Sequence, residues 1–551
     1  MFYPLINYDR GDENYSSERR ILNVLQYKWG ATSSQPSSTF SNPSSHTEKM
    51  NVEQFRKAGY QAIDRICDYY CSLEERSVGF QVQPGYLMRS LPSCAPEEGE
   101  DFQMIADDYQ KLIIPGLVHW QHPSFFAYFP AGCTFEGILA DLYSSSVCNP
   151  GFNWSASPAC TELEVVVMDW AAQLFGLSSA FLHSSGVGGG VIQTSASDSC
   201  LVAVTAARSR YQGERPECKM EDLVIYTTTQ THSIGLKAGL ILGLKVRALE
   251  VRSEDRFSLR GDTLRTALVT DEKLGRKPFI LIANIGTTSS GAVDNFAEIR
   301  DVLKDYPSLW LHIDAAWAGC ALSCPEYRDM CYLNEVNEVA TSLCTNFHKW
   351  GLTNFDISAL WVRDRKFLTE ALDVTPPFLR SKYSSTGPGA VVDFRNWHIG
   401  LGRRFRSLKL WFVLRSFGAE GFRKHIRQSV GLNERFAELV RHSDILELVT
   451  DPSLALSVFR LNPIKYLDAT FSLAELNKLN RIFYDRISAR RDILLTQTVL
   501  NGITCIRFTV SAYRTQDRHV VKAFKLLLDE GHIAINEWKE SQLGISAQKS
   551  F

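Results

Sequence analysis

LWLHIDAAWAG, residues 309–319, is the stretch that decides the fold. Leu309 to Ile313 form an apolar run interrupted only by His312, which suits a strand covered on both faces. Asp314 then closes the run, where a carboxylate is expensive to desolvate unless a cation or several donors meet it. Working outward, LVIYTT (223–228), PFILIANIG (278–286) and ISALWVR (357–363) repeat the pattern with helical stretches between them. Buried strands alternating with helices predict an α/β core around a mostly parallel sheet.

Beyond about residue 408 the pattern changes. Helical segments such as SLKLWFVLRSFG and AELNKLNRIFYDRISARRD alternate with LSVFRL (456–461) and ITCIRFTVS (503–511), which predicts a smaller α+β domain. On the other side, Val52, Phe55, Ala58, Ala62, Ile66 and Tyr69 fall at helical spacing, an apolar stripe that needs the body of the chain or a second subunit to cover it. Residues 31–48 are rich in Ser, Thr and Pro with one aromatic, so 1–49 reads as a flexible extension.

The whole chain has 551 residues, more than one minimal domain requires. Its 59 Lys+Arg against 61 Asp+Glu leave no basic footprint for nucleic acid or an anionic lipid surface. No apolar run reaches the ~18 to 20 residues of a membrane span. Thirteen cysteines and an N-terminus without the apolar core of a secretory signal point to a soluble protein of the reducing cytoplasm. The Cys67/Cys71 and Cys320/Cys324 pairs lack the matching Cys or His partners of a zinc site, so no metal is expected.

Three signals carry chemistry. In HSSGVGGGVIQTSAS (183–197), Gly186, Gly188, Gly189 and Gly190 precede a Ser/Thr cluster and a helical run, a turn able to aim backbone N–H groups at an anion. The dinucleotide fingerprint fails at Val191, the P-loop ending is missing, and a plain tight turn is the alternative. Asp314 could pair with a protonated pyridine nitrogen, or be a hydrogen-bonded strand end. Lys349, in NFHKW (346–350), lies among aromatics whose desolvation lowers an amine's pKa, as Schiff-base chemistry requires; a solvated lysine is the alternative. Together the three match the anchors of pyridoxal phosphate: phosphate, ring nitrogen and aldehyde carbon.

HPSFFAYFP (122–130), FNWSASPACTELE (152–164), GGGVIQTSAS (188–197), HIDAAWAG (312–319), HKW (348–350) and LGRRFRSLKLWFVLRSFG (401–418) resemble, in order, blocks of the pyridoxal-phosphate-dependent aromatic L-amino acid decarboxylases and the plant aromatic acetaldehyde synthases. The resemblance runs from about Met50 to Trp538. It implies the aspartate-aminotransferase fold (fold type I) as an intertwined homodimer, with a helical dimerisation segment at 50–134, a large cofactor domain at 135–408, a small domain at 409–538 and a tail at 539–551.

Carried over, the resemblance makes Lys349 the lysine that bonds the cofactor aldehyde and Asp314 the partner of the ring nitrogen. It gives Ala196, Ser197, Asn346 and His348 to the phosphate, and Thr288 and Ala316 to the ring. His232 would stack on the ring and touch the substrate carboxylate. Trp120, Tyr128, Phe129, Pro130, Pro150, Phe152 and Gly402 match the aromatic substrate pocket, part of it from the partner subunit.

The family's catalytic-loop tyrosine falls on Phe378, which has no proton to give. In the plant relatives phenylalanine there accompanies aldehyde synthases, with dioxygen as co-substrate and aldehyde, carbon dioxide, ammonia and hydrogen peroxide as products. The alternatives are an ordinary decarboxylase, in which Tyr383 or water donates the proton, and a cofactor-binding scaffold without turnover. Other departures are Phe347 for the usual proline, Trp317 for a tyrosine, and Ala131 for a pocket threonine.

Overall fold

The computed structural model describes residues 50–129, 131–379, 383 and 391–542, leaving the extension expected over 1–49 outside the described residues. Seven strands form the central sheet: β1 (Gly189–Gln193), β2 (Leu223–Thr228), β3 (Lys245–Leu249), β4 (Lys277–Asn284), β5 (Trp310–Asp314), β6 (Ser342–Asn346) and β7 (Ser358–Val362). Their order is β1-β7-β6-β5-β4-β2-β3. β2 through β6 pair in parallel, and β7 runs against both β6 and β1. A mostly parallel α/β sheet was the expectation from the apolar runs, and it is the fold found.

Alternation along the strands separates two cores. Leu281, Ala283, Leu311 and Ile313 join the cluster on one face, which includes Val167 and Phe175 of the helix Pro158–Phe175. Ile280, Ile282, Trp310 and Cys344 join the other, with Cys200 and Val204 of the helix Ala196–Glu214. Each such fully buried aliphatic side chain contributes roughly 1.5–3 kcal/mol. Because side chains repeat every second residue, Asp314 shares the face of Trp310, the side on which Ala196–Glu214 packs.

The glycine run is not the anion-binding turn expected for it. Gly189 and Gly190 lie in β1, and a Cβ on Gly188 would sit 1.8 Å from the Ala180 carbonyl oxygen. A Cβ on Gly190 would sit 2.4 Å from Met168 Cε. The glycines let this strand pack closely against its neighbours.

The smaller sheet is antiparallel, β10-β11-β9-β8, from β8 (Leu446–Leu448), β9 (Leu456–Leu461), β10 (Thr496–Leu500) and β11 (Ile503–Thr509). The helices Leu473–Ser488 and Asp517–Gln542 supply much of its core. Phe126 reaches into that core, stacking on Phe508 at 4.2 Å, while the Phe126 carbonyl accepts from Thr509 N–H at 3.1 Å. Residues 122–129 are thereby pinned to the small domain and deliver Tyr128 and Phe129 to the boundary between the domains. The long helix Arg406–Arg441 spans that boundary, broken at Gly418, whose φ of 63° with ψ of 173° is a conformation adopted essentially by glycine alone.

The N-terminal helix Val52–Cys71 starts with a capping box from Asn51 and Gln54, yet none of its residues is buried. Val52, Phe55, Tyr60 and Ile63 are exposed. No helix among the described residues is long and apolar enough to cross a membrane. All thirteen cysteines are free thiols.

Candidate active site

Asn284, Asp314 and Asn346 stand at the carboxyl ends of β4, β5 and β6 on one face of the sheet, Asn284 in register with Asp314. Open α/β sheets bind ligands at such strand ends. The three line a pocket together with Ser195, Ala196, Ser197, His232, Thr288, Ala316 and Lys349. The structure thus gathers eight of the nine residues expected around the cofactor.

One end of the pocket is the N-terminus of Ala196–Glu214. The Ser195 hydroxyl caps it by accepting from Asp198 N–H at 3.3 Å, leaving the N–H groups of Ala196 and Ser197 without an intrahelical acceptor. Those free donors, with the positive end of the helix dipole, make an anion seat. Asn346 Oδ1 is buried without a hydrogen-bond partner, a group waiting for a donor.

Lys349 and Asp314 line the same cavity, close enough for each charge to act on the other. Lys349 lies in the single turn Phe347–Trp350, between side chains that are fully buried. Burial pushes its ammonium pKa down and the Asp314 charge opposes this. Burial likewise pushes the Asp314 carboxyl up, opposed first by Lys349. Asp314 Oδ1 accepts from Ala316 N–H at 3.1 Å and has the Cys344 thiol at 4.0 Å. Oδ2 has no hydrogen-bond donor among the described residues. An amine biased toward its neutral form, a carboxylate with a free oxygen and a helix N-terminus fit a phosphorylated pyridine aldehyde spanning the pocket.

His232 is held through its neighbour. Thr231 Oγ1 accepts from Thr228 N–H at 2.9 Å and from Asn284 Nδ2 at 3.0 Å, and the same amide reaches Asp294 Oδ2 at 3.1 Å. Burial lowers the His232 pKa, with Asp314 opposing. The ring lines the pocket and is neutral at physiological pH.

His348 departs from its expected place and does not line the pocket. Its Nδ1 accepts from Ile357 N–H at 2.9 Å, its ring packs 4.7 Å from Phe355, and burial pushes its pKa down to about 4. The sequence reading missed Ser195, Asn284, Gly286 and Trp317, all of which line the cavity. Trp317 donates to the Gly286 carbonyl at 2.7 Å and stacks on Phe129 at 4.5 Å. Only its position three residues after Asp314, the end of a buried strand, distinguished it from a core tryptophan.

The expected substrate residues fall into two groups. Trp120, Tyr128 and Phe129 form one: Trp120 and Tyr128 stack at 5.5 Å, and Lys349 Nζ lies 5.6 Å from the Phe129 ring centre. Pro150, Phe152 and Gly402 form the other, outside the cofactor cavity of this chain. The buried pair Glu164–Arg403 fixes that group, as Arg403 N–H donates to Pro150 O at 3.0 Å and its guanidinium grips Glu164 at 2.6 Å. Pro130 lies outside the described residues. Phe378 sits in the turn Pro377–Leu379, and its side chain is outside what the structure describes.

The pyridoxal-dependent decarboxylase conserved domain matches residues 84–462. Tryptophan decarboxylase 2 of Oryza sativa subsp. japonica is 43% identical over 484 residues, covering 87% of this chain and 95% of that protein. Phenylacetaldehyde synthase of Arabidopsis thaliana is 41% identical over 491 residues, 89% of this chain and 98% of that protein. The crystal structure of Oryza sativa TDC with PLP and tryptamine superposes with a TM-score of 0.83 at 34% identity, covering 88% of this chain and 99% of that one.

Proposed function

The chain belongs to the pyridoxal-dependent decarboxylase family, among pyridoxal-phosphate lyases of aromatic amino acids, and from that premise we propose that it converts an aromatic L-amino acid to the corresponding acetaldehyde. Bound in the pocket, pyridoxal phosphate supplies an electron sink for the pair left when a bond to the substrate's α-carbon breaks. Everything else is the work of the chain.

The N–H groups of Ala196 and Ser197 would hold the phosphate, with the Nδ2 amide of Asn346 donating to it from the end of β6. Asp314 keeps a proton on the ring nitrogen through its free Oδ2. Lys349, biased toward the neutral amine, is the nucleophile toward the aldehyde carbon. His232, Thr288 and Ala316 confine the ring, and Trp120, Tyr128 and Phe129 take the aromatic side chain. The convergence of Lys349, Asp314 and the N-terminus of Ala196–Glu214 on one cavity is the observation that carries this reading.

The product turns on Phe378. A phenyl ring offers no proton to the α-carbon, which leaves it open to dioxygen. The overall reaction then takes up one dioxygen and one water, and releases aldehyde, carbon dioxide, ammonia and hydrogen peroxide. Relatives carry both activities by name, a tryptophan decarboxylase and a phenylacetaldehyde synthase. Incubation of the holoenzyme with phenylalanine, tyrosine, tryptophan and DOPA, with amine and peroxide assayed together, tests this. Peroxide and aldehyde in equal amounts are expected; stoichiometric amine without peroxide contradicts it. One observation favours that second outcome: Tyr383, five residues on, carries a phenol and packs 4.6 Å from Trp154.

We further infer a homodimer. The bare apolar faces of Val52–Cys71 and of Phe135–Val147, where Leu139, Leu142, Tyr143 and Val147 are exposed, support it. So does the second substrate group, which pairing would bring to the partner's cofactor cavity. Sedimentation analysis tests the dimer. Thirteen free thiols suit a reducing cytoplasm.

A further inference from the structure

We propose that Asn284 is a positioning residue for His232 and acts on it through Thr231. The proposal rests on the reading of His232 as a group that confines the cofactor ring. The His232 side chain lines the cavity and makes no hydrogen bond or ring contact among the described residues, feeling only burial and the charges of Asp314, Lys349 and Lys237. Its place is therefore set by the backbone on either side. Downstream, the helix Ile234–Leu242 has no side-chain cap at Ser233 and is fixed by close packing, since a Cβ on Gly235 would sit 2.6 Å from Thr227 Cγ2. Upstream lies the turn that follows β2.

That turn is closed by Thr228 Oγ1, which accepts from Gln230 N–H at 3.2 Å and from Thr231 N–H at 3.1 Å. On the β3 side Thr229 N–H ties it to the Leu249 carbonyl at 2.9 Å. On the β4 side the tie is Asn284, whose Nδ2 donates to Thr231 Oγ1 at 3.0 Å. The direction of that amide is dictated from behind. Asp294 is 0% exposed and pairs with no cation among the described residues; its Oδ2 accepts from Asn284 N–H at 2.7 Å and Nδ2 at 3.1 Å, its Oδ1 from Leu259 N–H at 2.9 Å. Burial pushes its pKa up to about 6, which leaves it ionised at neutral pH. A carboxylate has no hydrogen to give, so Asn284 must turn its nitrogen toward Asp294, and the second hydrogen of that nitrogen falls on Thr231.

Asn284 also stands in register with Asp314, whose carbonyl accepts from Ile285 N–H at 3.0 Å. One amide thus fixes the turn that carries His232 relative to the strand end that carries Asp314. The cofactor ring has to satisfy both residues at once, its nitrogen at Asp314 and its confinement at His232. A strut between them holds that spacing before the ring arrives, so binding does not have to order the turn.

A double-mutant cycle tests this, with the full chain stripped of cofactor and titrated with pyridoxal phosphate. Asn284→Ala is expected to raise Kd by roughly 10-fold, the loss of a buried hydrogen bond, but by less than about twofold in the His232→Ala background. Thr231→Val removes the acceptor at the other end of the strut. It should repeat both results, and carries the comparison if Asn284→Ala fails to fold once Asp294 has lost a donor. Thr231→Ser keeps the hydroxyl and should bind within about twofold of wild type. A loss of the same size in both backgrounds would mean that Asn284 acts on the cofactor directly or only on the fold, and overturns the proposal, as does no loss in either. A wild-type chain that binds no pyridoxal phosphate overturns the functional reading itself, an outcome separate from a cycle without coupling in a chain that binds it.

Discussion

Around Asp314 the polar groups come from three adjacent strand ends and one helix N-terminus of a single chain, whereas around Phe129 they come from an N-terminal segment, a small-domain strand and residues beyond the chain's own cavity. The first region is held by the ladder of a buried parallel sheet, where Asn284 and Asp314 are paired in register. The second is held by a few cross-domain contacts, Phe126 on Phe508 and Arg507 on the Tyr128 carbonyl. On the proposed function, reaction type is then the work of the sheet region, and substrate and product are the work of its boundaries, which can change without disturbing the sheet.

The sharpest way to break this division is Lys349→Ala, expected to lower carbon dioxide release by roughly 10⁴-fold or more, since it removes the nucleophile. Turnover within tenfold of wild type would show that the stiff region does not own the chemistry. Next comes the boundary itself. Glu164→Gln leaves the Arg403 guanidinium buried without its carboxylate and should cost about 3 kcal/mol in denaturant unfolding. A loss under about 0.5 kcal/mol, the range of ordinary surface changes, would mean that Pro150 and Phe152 are anchored by something else.

Phe378→Tyr acts at the boundary alone. It should raise the amine-to-aldehyde ratio by roughly tenfold or more while overall carbon dioxide release changes little. An unchanged ratio would remove position 378 from the choice of product.

The smallest effect is a shared response to pH. Burial pushes His122, His348 and His425 down to about 4, below the unfolded value near 6.5. Between these limits the unfolded chain binds more protons, so their contribution to stability is complete above pH 6.5 and is lost as pH falls toward 4. His312, pushed down to about 3, adds to them, while Asp294, pushed up to about 6 by burial, and Asp314, also pushed up, work in the opposite sense and are outnumbered. Tm should fall on acidification from pH 6.5 to 4.5; a flat profile would contradict the burial assigned to these rings.

The same division explains what could be read from the residues. β2, β4, β5 and β7 announce themselves because strands buried on both faces are apolar throughout, and Asp314 and Lys349 stand out against them. β1 was hidden because glycine is a poor strand former, and only the distance to Ala180 and Met168 shows why glycine is there. Asn284 reads as an ordinary strand end until its amide is seen joining Thr231 to Asp294. Arg507 reads as the polar half of an alternating strand, since nothing local says that its far side faces Phe129 rather than water. His348 carries the right neighbours in sequence, but Ile357 N–H occupies its Nδ1 and turns it away.

Borohydride reduction of the holoenzyme, followed by proteolysis and mass spectrometry, tests the central claim most directly. A single pyridoxyl group on Lys349 is the predicted result. Its appearance on any other lysine, or on none, would contradict the assignment of this pocket and the chemistry built on it.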